Sequence, residues 1–139
     1  MPNRSLTFMA ALALLGCAVA HADAPSPGMA RPHQVLSETV EGMPRGERQQ
    51  VRVLTATFQP GDRTVFHTHR FPVTVYVLEG EFTLELEGRR GPLMLGAGQA
   101  YVEPPHVRMT GFNRNTTAPL KVVIFYVGEL DTPFLDPIR

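Results

Sequence analysis

Thirteen prolines and twelve glycines interrupt this 139-residue chain so often that few stretches could carry a long helix. Proline inside a helix removes a hydrogen bond and clashes with the preceding turn, and glycine there costs about 1 kcal/mol relative to alanine. Between these breaks lie short runs rich in β-branched and aromatic residues, which suit strands joined by turns. Val51, Val53, Thr55 and Thr57 alternate with Arg52, Leu54, Ala56 and Phe58 until Pro60-Gly61-Asp62 ends the run. Val73–Leu78 reads as a strand buried on both faces. In Phe82–Glu87, Phe82, Leu84 and Leu86 face one way and Thr83, Glu85 and Glu87 the other, a period-2 pattern with one wet face. Further strands are expected at Val35–Val40, Leu93–Leu95, Ala100–Glu103, Val107–Phe112 and Lys121–Val127. No helix is expected within the domain. The fold class is all-β, a sandwich or a barrel.

Residues 1–22 read as a secretory signal: Arg4 as the basic start, Leu6–Ala20 as the apolar stretch, Ala20-His21-Ala22 as the cleavage site. The apolar run is short for a membrane span, so no transmembrane segment is expected in the mature form. The expected location is periplasmic or secreted. Leu14-Leu15-Gly16-Cys17 offers an alternative, a lipobox that would anchor the protein to a membrane through Cys17. Residues 23–49 form an N-terminal arm with an edge strand, 50–128 the main domain, and 129–139 an extended tail. Phe134, Leu135 and Ile138 in that tail suit an apolar surface, either this chain's own or a partner's.

Thirteen basic and thirteen acidic side chains balance. That removes the electrostatic footprint of a nucleic-acid binder. Cys17 is the only cysteine, so the mature domain has no thiol for a disulfide, a thiolate metal site or a nucleophile.

The pattern with most chemistry is His67-Thr68-His69. Residues i and i+2 of a strand point to one face, so two imidazoles converge. Protonated together they repel, and a shared divalent metal removes the repulsion. Two surface histidines on an edge strand are the bland alternative, but the neighbours favour a site. Gly61-x5-His67-x-His69-x3-Val73-x6-Gly80 resembles the first motif of the cupin superfamily, G-x5-H-x-H-x3,4-E-x6-G. Gly98-x5-Pro104-x-His106-x2-Met109-x3-Asn113 resembles the second, G-x5-P-x-G-x2-H-x3-N. The resemblance covers residues 50–128 and implies a double-stranded β-helix (jelly-roll) barrel, commonly dimeric. Homodimerisation is therefore expected.

Cupin metal sites usually hold three His and one Glu, and this chain departs from that set. Val73 stands at the Glu position, Met109 at the third His position, and His106 where Gly is usual. Three arrangements remain open: His106 swinging inward to join His67 and His69, Met109 ligating through its thioether, or Met109 serving only as core with the metal weakly bound or absent. Glu81 and Glu103 read as solvated rim residues, able to replace the missing carboxylate only under a different strand register. Phe66, Phe71, Met94 and Tyr101 are candidate walls of a substrate pocket. Arg70 reads as a surface residue or a contact for an anionic ligand. The implied cofactor is a divalent transition metal: Fe, Mn, Ni, Cu or Zn. The implied function is a metal-dependent, dioxygenase-like enzyme acting on a small molecule. Its rival is a non-catalytic cupin of the cell envelope that binds a metal or small ligand.

Overall fold

A computed structural model describes residues 28–139, so the expected leader and Cys17 lie outside the described residues. The chain divides into two units, Met1–Pro32 and His33–Arg139, and the second carries every element below. Nine strands follow one another: β1 (Gln49–Phe58), β2 (His67–Thr68), β3 (Val73–Glu79), β4 (Glu81–Leu86), β5 (Leu93–Gly96), β6 (Ala100–Glu103), β7 (Met109–Phe112), β8 (Leu120–Glu129) and β9 (Asp136–Pro137). Among the described residues there is no helix, and none is long and apolar enough to cross a membrane.

The strands form two antiparallel sheets, one ordered β1-β8-β3-β6 and the other β5-β4-β7-β2-β9. Apart from the β4–β5 hairpin, successive strands change sheets, as in a jelly roll. β1 and β8 pair over ten residues, from Gln49 opposite Glu129 to Phe58 opposite Leu120. Val75, Val77, Phe82, Leu84, Leu95, Met109, Leu120 and Val122 fill the space between the sheets. Gly111 on β7 is small for a packing reason: a Cβ there would lie 2.5 Å from the Phe82 ring.

Asn113 closes the turn after β7 from inside. Its buried amide donates to the carbonyls of Phe58, Gln59 and Ala118, and its oxygen accepts from the Asn115 N–H. An apolar side chain in place of Asn113 would remove all three of these partly buried bonds at once.

Two expectations need correction. Val35–Val40 forms no strand. β-propensity yields a strand only where a neighbour supplies the ladder; here Leu36, Val40 and Met43 share a groove with Thr74, Val102 and Phe125 on the outer face of the first sheet. β3 is not buried on both faces. Val73, Val75 and Val77 point into the core, whereas Thr74 and Tyr76 are only half-buried and Leu78 is exposed. The tail continues beyond β8 through Asp131, a non-glycine residue at φ 61°, and returns to pair β9 with β2.

Candidate metal centre

β2, only two residues long, lies between β7 and β9 in the second sheet. Its backbone pairs with both β7 and β9, and this places His67 and His69 inside the barrel mouth. Both imidazoles are buried. Their Nε2 atoms are 3.1 Å apart.

The other ring nitrogens define the protonation pattern. His67 Nδ1 lies 2.6 Å from the Val65 carbonyl, and His69 Nδ1 lies 2.7 Å from the Phe134 carbonyl. A carbonyl only accepts, so each Nδ1 carries a proton and donates it. In the neutral tautomers this leaves both Nε2 lone pairs directed at one another. Glu103 adds a third acceptor, its Oε2 standing 3.2 Å from His69 Nε2. His69 Nε2 thus stands between two further acceptor atoms, an arrangement whose repulsion a cation placed among them would offset.

Among the described residues, no three His, Cys, Asp or Glu side chains form a ready-made metal cage. The donor chemistry of His67, His69 and Glu103 nevertheless fits a divalent transition metal. Donors about 2.0–2.2 Å from such an ion stand roughly 3 Å apart, close to the separations of 3.1 and 3.2 Å here.

Glu103 corrects the expectation of a solvated rim residue: only 6% of it is exposed. Its position follows from register. On the β3–β6 ladder Glu103 lies directly opposite Val73, and directly opposed residues present their side chains to the same face. The carboxylate absent from position 73 is supplied across the ladder. Glu81 does lie exposed on the surface.

His106 does not swing inward. It is exposed, with φ at 63°, and only its backbone joins the site by donating N–H to the His69 carbonyl. Its ring lies on the side of Asp136, whose carboxyl pKa it helps to lower, behind the larger effects of Arg70. Met109 is wholly buried in the core cluster and does not line the cavity beside the histidines, so its role is packing.

That cavity measures about 40 Å³. Phe58, Val75, Phe82, Leu84, Val122 and Ile124 supply barrel walls, and Phe134 and Leu135 supply the outer one. Of the four expected pocket residues none lines it. Phe66 and Met94 are exposed, Phe71 packs towards Tyr126, and Tyr101 is half-buried at the core's edge. The real walls were readable only as alternating core positions of their strands. The tail's Phe134 carried a signal, an aromatic between prolines, but not its destination.

Burial lowers the pKa of His67, with the neighbouring His69 acting in the same direction; the Val65 hydrogen bond and Glu103 oppose it. A histidine with a depressed pKa takes up its proton less readily folded than unfolded, so the unfolded chain binds more protons as pH falls. The stability of metal-free protein should therefore be complete above the ordinary value of 6.5. It should decline as pH drops below that value, until His67 in the folded state is also protonated. Urea midpoints between pH 8 and 5 measure this. His67→Gln should flatten the decline, and an equal decline in that variant would exclude His67 as its source.

An all-β jelly roll with a buried histidine pair defines the class as a small double-sheet β-barrel protein. A family model described as a cupin domain matches residues 54–126. The chain belongs to the cupin family. Solved structures agree at the level of fold. The lyase DddQ from Ruegeria pomeroyi DSS-3, which acts on DMSP, is 22% identical with a TM-score of 0.54, over 63% of this chain and 42% of that one. A cupin-like protein from Thermotoga maritima is 19% identical with a TM-score of 0.54, over 63% of this chain and 64% of its own. An RmlC-like cupin from Shewanella frigidimarina NCIMB 400 is 21% identical with a TM-score of 0.51, over 73% and 95%. The chain thus spans less than two thirds of the first two neighbours' lengths. No curated protein matches.

Proposed function

We propose that this cupin binds a divalent transition metal through His67, His69 and Glu103 and is a metal-dependent, dioxygenase-like enzyme acting on a small molecule. The observation that supports it is the convergence of three acceptor atoms in a buried apolar cavity, with both Nδ1 protons already committed to backbone carbonyls. Two imidazoles and one carboxylate with open positions suit Fe(II), and also Mn, Ni, Cu or Zn. A bound metal would supply Lewis acidity and, if redox-active, a path for electrons. His67 and His69 present neutral lone pairs, Glu103 offsets positive charge, and the apolar walls exclude water. No further protein base stands among the cavity-lining residues, so the substrate arrives already ionised. Export belongs to the same proposal, through residues 1–22 or by lipidation at Cys17. So does homodimerisation, for which the edge strand β1, with Val51 and Val53 exposed, offers an apolar face.

A second reading is a non-catalytic metal-binding cupin of the envelope. The small cavity favours it, because sites that enclose organic ligands usually measure about 300–1,000 Å³. Metal analysis of protein isolated from its native compartment tests the shared premise. One equivalent of metal is expected, with loss of at least nine tenths of it in His67→Ala and His69→Ala. Full metal content in both variants would falsify the proposal. Stoichiometric metal without turnover of small carboxylic or enolic compounds would leave the second reading.

A further inference from the structure

Everything in the wall of the histidine cavity belongs to the barrel strands and their turns except Phe134 and Leu135. These two come from the tail, which is held at a handful of points, among them the Tyr126 ring edge-on to Phe134 at 5.8 Å and its hydroxyl 3.5 Å from the Pro133 carbonyl. At its base, Arg52 donates to the Thr132 carbonyl at 2.5 Å and lies over the Tyr126 ring. At its centre, the Phe134 carbonyl accepts from His69 Nδ1 and the Phe134 ring sits 5.0 Å from that imidazole. At its end, β9 adds two residues to β2, and the Ile138 N–H donates to the Phe66 carbonyl at 2.8 Å. Arg70 grips Asp136 with two parallel hydrogen bonds of 2.8 and 2.9 Å.

We propose that residues 132–139 form a strap that completes the site and controls access to it: the Phe134 carbonyl positions His69, Phe134 and Leu135 plug the barrel mouth, and Arg70–Asp136 is the latch. The inference rests on the metal-centre reading only for what the strap guards; the closure itself stands on the geometry above. With the strap in place, a cavity of about 40 Å³ admits about two or three water-sized molecules. Dioxygen fits and an organic substrate does not. Such a substrate reaches His67 and His69 only when Phe134 and Leu135 lift away. The attachments suit reversible opening. A two-residue strand gives little cooperativity, the latch lies at the surface, where ion pairs hold weakly and are screened by salt, and Asp131 at φ 61° marks a sharp turn before the strap. Phe134 is a positioning residue through its carbonyl, and a specificity-determining one through its ring.

Diethyl pyrocarbonate labelling of full-length, EDTA-treated protein tests the strap without any metal or substrate. It acylates neutral imidazole nitrogens that solvent can reach, and mass spectrometry of peptides resolves the sites. In the wild type, His67 and His69 should react at least tenfold more slowly than exposed His106. Asp136→Asn and Arg70→Ala should speed labelling at His67 and His69 about three- to fivefold while leaving exposed His33, remote from the latch, unchanged. The reversed pair, Arg70→Asp with Asp136→Arg, should restore protection, which a merely unfolded barrel could not do. Phe134→Gly with Leu135→Gly should expose both histidines even with the latch intact. Equal labelling of the buried histidines in wild type and all these variants would overturn the proposal, as would failure of the reversed pair to protect. Cobalt(II) titration of the same samples reports on the metal reading separately: no cobalt bound by any sample overturns that reading and leaves the labelling result to decide the strap.

Discussion

Replacing Glu103 by Gln is expected to lower cobalt(II) affinity by on the order of 100-fold, and moving the carboxylate across the ladder to position 73 is expected to recover most of it. Gln keeps the shape and one acceptor oxygen but removes the charge that offsets the cation. Loss even of groups outside the direct ligands of metal sites costs about 10–100-fold, so loss of a ligating charge belongs at the upper end. The rescue follows from register. Val73 and Glu103 are directly opposed on β3 and β6, with both side chains buried on the inner face. Opposed Cβ atoms stand about 4.5–5.5 Å apart, so a carboxylate moved to the other strand reaches the same space from the other side. Val73→Glu with Glu103→Val also keeps the number of buried charges constant, whereas Val73→Glu alone crowds a second carboxylate against the first. Titration followed by the cobalt absorption bands measures each affinity. Wild-type affinity in Glu103→Gln would remove Glu103 from the centre. A folded exchange variant that binds no cobalt would show that the carboxylate's position, not only its presence, decides binding.

This relationship also shows what the sequence could and could not reveal. The strands of the barrel were legible because alternation and turn residues are local: β1, β4 and β8 lie close to where period-2 patterning and Gly or Pro breaks place them. The histidine pair was legible because i and i+2 of one strand share a face whatever the partner. Glu103 was not, since its role depends on which residue of β3 lies opposite, and pairing register is a long-range property. His106 misled for a related reason. It stands where the motif has Gly, out of register with the third-His position, and could join the pair only by swinging inward; the backbone at φ 63° turns its side chain outward and gives only the N–H to His69. The pocket walls failed similarly: Phe66 and Met94 are apolar and close in sequence to the motifs, but the bend before β2 leaves Phe66 exposed and the pleat of β5 turns Met94 to solvent. The tail's apolar residues were noticed, and their surface turned out to be this chain's own barrel mouth.

Glycine spacing made the motifs recognisable, and the structure separates glycines required by crowding from those required only by backbone angle. Gly80→Ala should destabilise the domain by about 3 kcal/mol. Gly80 has φ +82°, and an alanine Cβ there would stand 2.7 Å from the Pro119 carbonyl oxygen and 3.1 Å from the Leu120 Cα. The left-handed conformation alone costs about 1–2 kcal/mol for an L-residue, and overpacking adds typically 1–3 kcal/mol. Here relief is hard, because the crowding atoms are backbone at the start of β8, next to the irregularity at which the β3–β8 ladder shifts register between Val77 and Glu79. Gly61 is the control. Its φ is +83°, almost the same, yet nothing lies within 4 Å of a Cβ placed on it. Gly61→Ala should therefore cost only the conformational part, about 1–2 kcal/mol. In a domain of this size, the loss at Gly80 corresponds to a fall in melting temperature on the order of 15 °C. Urea denaturation of the two variants side by side measures the difference. Equal losses would mean that the turn after β3 relaxes away from β8, and that the crossing of Gly80 beneath Pro119 does not hold the first sheet's two central strands in register.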